Sequence, residues 1–169
     1  ADSIAPEAAC TSVQFHLQVS PDDVAASWNA AQCLAGAQVA LGANSPYFLG
    51  RELWRETRIA LFTQAADTRP AEMKAQGVRP RVWFGERWVT SVFDLFEENL
   101  TYFPALLPEV GDEDPLAELE ADRTPSLQEL RLHNGTIWRW NRPVYDVVDG
   151  VPHLRVENRT LPAGPTVTD

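Results

Sequence analysis

The order of patterns along this 169-residue chain predicts an α+β fold, a mainly antiparallel sheet with helices packed on one face, in a single domain spanning residues 1–169. Three observations carry that expectation. A stretch near the start alternates polar and apolar side chains, a long helical pattern follows it directly, and the last third holds consecutive strand patterns split by turn pairs. Strands that follow one another through short turns pair antiparallel, whereas a parallel sheet needs long crossovers between them.

Thr11 to Val19 is the first strand, with Val13, Phe15, Leu17 and Val19 on one face and Gln14, His16 and Gln18 on the other. Ser20-Pro21-Asp22-Asp23 then reads as a helix start near Pro21: Ser20 can cap, proline suits the first helical position, and the acids favour the positive dipole end. Val24, Trp28, Ala31, Ala35 and Val39 recur at helical spacing, and the helix is expected to end near Gly42. Asn44-Ser45-Pro46 is a turn, followed by a loop carrying Gly50, Arg51, Arg55 and Arg58.

A Pro- and Arg-punctuated segment, 67–81, leads to the aromatic run Val82-Trp83-Phe84. A second helical pattern runs through Trp88, Val92, Leu95, Phe96, Asn99, Leu100 and Phe103 until Pro104 closes it. Strand patterns at 136–140, 144–148 and 154–159 follow, with Asn134-Gly135 and Asp149-Gly150 as turns; Asp-Gly between alternating runs is a strong hairpin signal.

Composition narrows the function. Hydrophobic residues at 44% and charged residues at 22% describe a globular chain, and a net charge of -10 has the wrong sign for neutralising nucleic acid phosphates. Seven of the acids fall between Glu109 and Asp122 with no base among them, which reads as a solvated surface excursion, with a lid over a pocket as the second reading. Lys74 is the lone lysine; the other bases are arginines, whose planar fork suits carboxylate and phosphate. Cys10 and Cys33 lack metal-site spacing and are expected to be small buried residues in a reducing cytoplasm, and the tryptophans to be core or pocket wall. No stretch reaches the roughly 20 apolar residues needed to span a bilayer. The chain begins Ala1-Asp2-Ser3 without a methionine, which reads either as a processed product or as a piece of a longer protein.

The chemistry-bearing pattern is Leu154-Arg155-Val156-Glu157-Asn158-Arg159, where strand periodicity puts Arg155, Glu157 and Arg159 on one face, about 7 Å between alternate positions. Two readings stand: a solvent-facing ion ladder worth little, or one wall of a polar site whose other wall is the Gln14, His16, Gln18 row.

Several segments together resemble a known family: Cys10-Thr11-Ser12-Val13-Gln14-Phe15-His16-Leu17-Gln18, Ala43-Asn44-Ser45-Pro46-Tyr47, Arg55-Glu56-Thr57-Arg58, Thr136-Ile137-Trp138 with Arg142-Pro143, and Glu157-Asn158-Arg159. They are similar to the glutamate-cysteine ligase and carboxylate-amine ligase family in its bacterial and plant-like branch, from about Pro6 to Asp169. The resemblance implies a glutamine synthetase-like catalytic domain, of which this chain is the C-terminal part. It implies amide-bond formation through an acyl phosphate, with ATP and Mg2+ as cofactors, glutamate as carboxylate donor, small-molecule amino-acid substrates, and a place in glutathione biosynthesis.

Carried over by motif, Glu157 resembles the metal-binding glutamate, and Arg159 the arginine that contacts transferring phosphate. Arg58 and Arg142 resemble substrate- or phosphate-facing arginines, and Gln14 and His16 stand where relatives face the magnesium and nucleotide. Relatives carry further acidic magnesium ligands on an upstream strand, a pattern lacking before Thr11, where Glu7 stands alone beside Pro6. The expectation is therefore a ligase-type chain with little activity by itself, or alternatively a non-catalytic binding module of the same fold. No nucleic acid or membrane partner is expected, and an open sheet edge would permit self-association.

Overall fold

The computed structural model describes residues 3–168. After a short 3-10 turn at Ala5–Ala9, the chain forms β1 (Phe15–Val19), α1 (Val24–Gly42), β2 (Tyr47–Phe48), β3 (Arg51–Glu52), α2 (Thr57–Ala65), α3 (Ala71–Ala75) and β4 (Val82–Trp83). Then come α4 (Val92–Tyr102), α5 (Pro115–Glu120), α6 (Gln128–Gly135), β5 (Trp138–Arg139), β6 (Asn141–Val148) and β7 (Val151–Asn158). The main sheet is antiparallel in the order β1-β7-β6, so the last strand lies between the first and its own hairpin partner. The mixed fold with an antiparallel main sheet is as the sequence predicts, with one exception: β4 and β5 pair in parallel, outside that sheet.

Why β6 and β7 pair is local. Asp149 and Gly150 both take positive φ, 53° and 78°, the two-residue turn whose twist matches that of the strands it joins. Leu49 and Gly50, at 49° and 77°, close the smaller β2–β3 hairpin in the same way.

The core forms where α1 lies against β6 and β7. Val24 and Trp28 from α1, Leu95 from α4 and Val156 from β7 are buried together with Val89. Trp28 is 1% exposed, and its indole N–H donates to the Asn141 carbonyl at 3.0 Å, so its one polar atom is satisfied. Alternation along β7 turns Val156 to this apolar side and Glu157 to the other.

Several elements depart from the sequence expectation. The first strand is shorter than 11–19, because Ser12 bridges to Pro162, which has no N–H to continue a ladder. Helix α1 starts three residues after Pro21: the Asp23 N–H donates to the Ser20 hydroxyl at 3.2 Å, holding 21–23 as a turn. Arg58 is not on a loop but in the first turn of α2, where its N–H meets the Ser45 hydroxyl and the Thr57 hydroxyl donates to the Trp54 carbonyl. Asn134-Gly135 ends α6 instead of making a turn, since the Asn134 amide donates to the Pro143 carbonyl and accepts from Asn99. Helix α4 starts at Val92, leaving Trp88 63% exposed. Trp54 is 73% exposed, so neither tryptophan is core, and Cys33 is exposed on α1.

The acidic excursion is tied back to the body of the fold. Glu113 accepts from the Ser126 and Leu127 N–H groups at 2.7 and 2.9 Å, and those bonds hold its carboxyl below the usual range.

Candidate active site

The strand register builds the site. Across β1, β7 and β6, His16 stands opposite Glu157, and Glu157 opposite Arg142. Directly opposed residues share a sheet face, with Cβ atoms about 5 Å apart, so His16, Glu157 and Arg142 form one polar row. Arg155 stands between Gln18 and Val144 in the neighbouring row. The first and last strands are therefore neighbours with their hydrophilic sides together, as the sequence reading requires.

Glu157 is at the centre and is 0% exposed. Its Oε2 accepts from Arg142 Nε at 2.7 Å and forms an ion pair with Arg142 Nη2 at 2.7 Å. Its Oε1 accepts from Arg159 Nε at 3.1 Å and Nη2 at 2.5 Å. Burial pushes the carboxyl pKa up, but the charges of Arg159 and Arg142 and the hydrogen bonds they donate outweigh it, and the group titrates below the ordinary glutamate range. Glu157 is thus a charged hub holding two guanidinium forks. A similar arrangement lies further along β6, where Asp146 forms an ion pair with Arg131 at 2.8 Å and accepts from Arg155 at 3.0 Å.

The two forks face different spaces. Arg142 lines a cleft of about 540 Å³ with Gln128, Arg131, Tyr145 and Asp146. Arg159 lines a small hollow of about 60 Å³ with Gln14, Arg58, Glu7 and Cys10. Arg142 and Arg159 side chains are 18% and 12% exposed, enough to be reached from these spaces.

The remaining predicted residues divide. His16, in the row, and Gln14, just before β1, are exposed, and among the described residues neither side chain makes a hydrogen bond, leaving their polar atoms to solvent or ligand. Arg58 is 5% exposed and committed within the chain: it donates to Glu56 Oε1 at 3.0 Å and to the Arg159 and Thr160 carbonyls at 3.4 and 2.5 Å, with its guanidinium 5.2 Å from the Trp140 ring centre. It ties α2 to the end of β7. Residues the sequence reading passed over are Arg131, Asp146 and Gln128; Arg131 and Gln128 came from a segment with no site pattern, and only folding brings α6 to the β6 edge.

Both oxygens of the Glu157 carboxylate are already held by guanidinium groups, whose positive charge disfavours a cation beside them. Among the described residues no group of three or more His, Cys, Asp or Glu could hold a metal ion. Magnesium needs near-octahedral oxygen ligands, usually one or two carboxylates with phosphates and water, and the donor set here does not fit it. A basic, planar donor array fits an oxyanion.

Residues 1–82 match the family model of glutamate-cysteine ligase family 2 (GCS2). No curated protein and no solved structure matches the chain. The match covers β1, α1 and the turn with Arg58, and so includes Gln14 and His16. It lies in the N-terminal half of this chain, not over the whole of 6–169 as the motifs suggest, and Arg142, Glu157 and Arg159 stand outside it. Over these 82 residues the chain is similar to glutamate-cysteine ligase family 2.

Proposed function

We propose that this chain supplies the arginine-lined, oxyanion-binding part of an ATP-dependent carboxylate-amine ligase of the glutamate-cysteine type, and that it has no turnover by itself. The observation that supports this is the Arg142–Glu157–Arg159 cluster set directly opposite His16, on a strand that lies within the ligase-family match. Phosphoryl transfer is governed by positioning and charge neutralisation, and forks held in place by a buried carboxylate are suited to both.

In this reading Arg159, Gln14 and His16 face the phosphates of ATP, and Arg142 and Arg131 face the carboxylate substrate. ATP when bound supplies the phosphoryl group that activates that carboxylate for attack by the amine. Arg58 acts as a brace for the α2–β7 junction. Glutamate as donor, a glutamine synthetase-like architecture, a partial catalytic domain, and a cytoplasmic place in glutathione biosynthesis belong to the same proposal. Among the described residues no helix is long and apolar enough to cross a membrane.

The test is direct. Titration calorimetry with ATP on this chain is expected to show binding that Arg159→Ala weakens by about tenfold or more, as for loss of a charge-assisted pair, while phosphate release with glutamate and a panel of amines stays at the blank. Release above the blank would show a complete ligase and overturn the inactivity. Absence of ATP binding would favour the second reading, a non-catalytic module, for which the exposed Trp54 and Trp88 speak.

A further inference from the structure

We propose that Glu157 is a positioning residue for metal-independent oxyanion recognition: it aims Arg142 into the β6 cleft and Arg159 into the hollow beside β1, and itself binds neither metal nor substrate. The inference deepens the proposed function and rests on it. Each carboxylate oxygen is held by one guanidinium: Oε2 by Arg142, through a hydrogen bond from Nε and an ion-pair contact with Nη2, and Oε1 by Arg159, through hydrogen bonds from Nε and Nη2. Both oxygens are engaged by these guanidinium groups, and Glu157 is 0% exposed. Each arginine spends Nε and Nη2 on Glu157, so the other edge of its fork, Nη1, is turned away from the carboxylate.

The surroundings favour an anion at those free edges. Arg131 lines the same cleft as Arg142, beside its partner Asp146, and the buried Arg58, paired with Glu56, lines the same hollow as Arg159 together with Glu7. On the polar sheet face, Arg142, Arg155 and Arg159 outnumber Asp146 and Glu157, in a chain whose net charge is -10. The recognised chemistry is a phosphate or carboxylate oxyanion. The gain from Glu157 is geometric: a long arginine held in one rotamer loses less freedom on binding.

Geometry and electrostatics make opposite predictions for Glu157→Gln. Removing a negative charge beside two cations should tighten anion binding if charge alone matters. If Glu157 positions the forks, binding weakens by about tenfold, the effect of losing one charge-assisted hydrogen bond. Calorimetry on the whole chain in EDTA with inorganic pyrophosphate, and separately with glutamate, measures this and separates the phosphate source from the carboxylate source. Paramagnetic resonance with Mn2+ alone measures metal binding.

The expected result is anion binding in EDTA, a weaker Glu157→Gln variant, and no Mn2+ bound. Equal or tighter binding by Glu157→Gln, or stoichiometric Mn2+ that this variant loses, would overturn the proposal. Should Glu157→Gln fail to fold, Arg142→Lys and Arg159→Lys keep the charge and lose the fork; each is expected to bind about tenfold more weakly, and unchanged affinity would overturn it. ATP binding seen only with Mg2+ would defeat this inference and leave the proposed function standing, whereas no binding of pyrophosphate, glutamate or ATP in any condition would defeat both.

Discussion

A carboxylate buried between two guanidinium groups stays charged only while they compensate it, and this makes Glu157 a pH sensor of the fold's stability. Its folded-state pKa is depressed, so the stability it contributes is fully present above the ordinary glutamate range and is lost as pH falls through that range toward the depressed value. Asp146 adds in the same direction, through the Val147 N–H first and then Arg131 and Arg155. Urea unfolding at a series of pH values from 7 down to about 3 is expected to show stability falling with acid, with a shallower fall in Glu157→Gln. An unchanged slope in the variant would show that Glu157 is not held ionised by its neighbours. Arg139 illustrates the same physics at a purely structural position: it is 0% exposed and donates to Glu98 at 3.0 Å and to Asn99, with burial opposing its charge. The sequence offers no sign that Arg139 is buried and Arg155 partly open, because both sit at alternate positions of strand-like segments.

Elements were legible where their cause is local. The Asp149-Gly150 hairpin and the end of α1 at Gly42 lie where turn chemistry and helical spacing put them. Helix α1 owes its place to Trp28, which fills the space between α1, β7 and α4 and bonds to β6. Trp28→Ala is expected to cost about 3–5 kcal/mol in urea or guanidinium unfolding, from lost burial plus the cavity left behind; a cost under about 1 kcal/mol, typical of surface sites, would show that the core closes without it. Helix α2 escaped the sequence reading because its residues Thr57–Ala65 bury a polar first turn, Thr57 and Arg58, in place of an apolar stripe. The β4–β5 pair escaped because two-residue strands carry no periodicity, and their pairing spans more than fifty residues.

At the scale of the whole molecule, the sheet ends at β1, whose outer edge is unpaired among the described residues. Phe15 and Leu17 are 53% and 58% exposed there, and no charge or proline lies within β1 to block strand addition. Self-association through this edge is expected to raise the sedimentation coefficient with concentration, and Leu17→Lys, an edge charge of the kind that blocks pairing, is expected to abolish that rise. A wild-type chain that sediments as a monomer at every concentration would rule the association out.

The sequence by itself determined the fold class, the long helix, the final hairpin and the two polar rows, because each follows from spacing along a continuous segment. It also carries a resemblance to the glutamate-cysteine ligase family, which the family model bears out over residues 1–82. Only the tertiary structure decided that Glu157 is enclosed by Arg142 and Arg159, that Arg58 braces a junction, and that Arg131 joins the cleft. Those outcomes depend on which guanidinium reaches which acceptor across strands and helices distant in sequence, a competition that strand or helix periodicity does not encode.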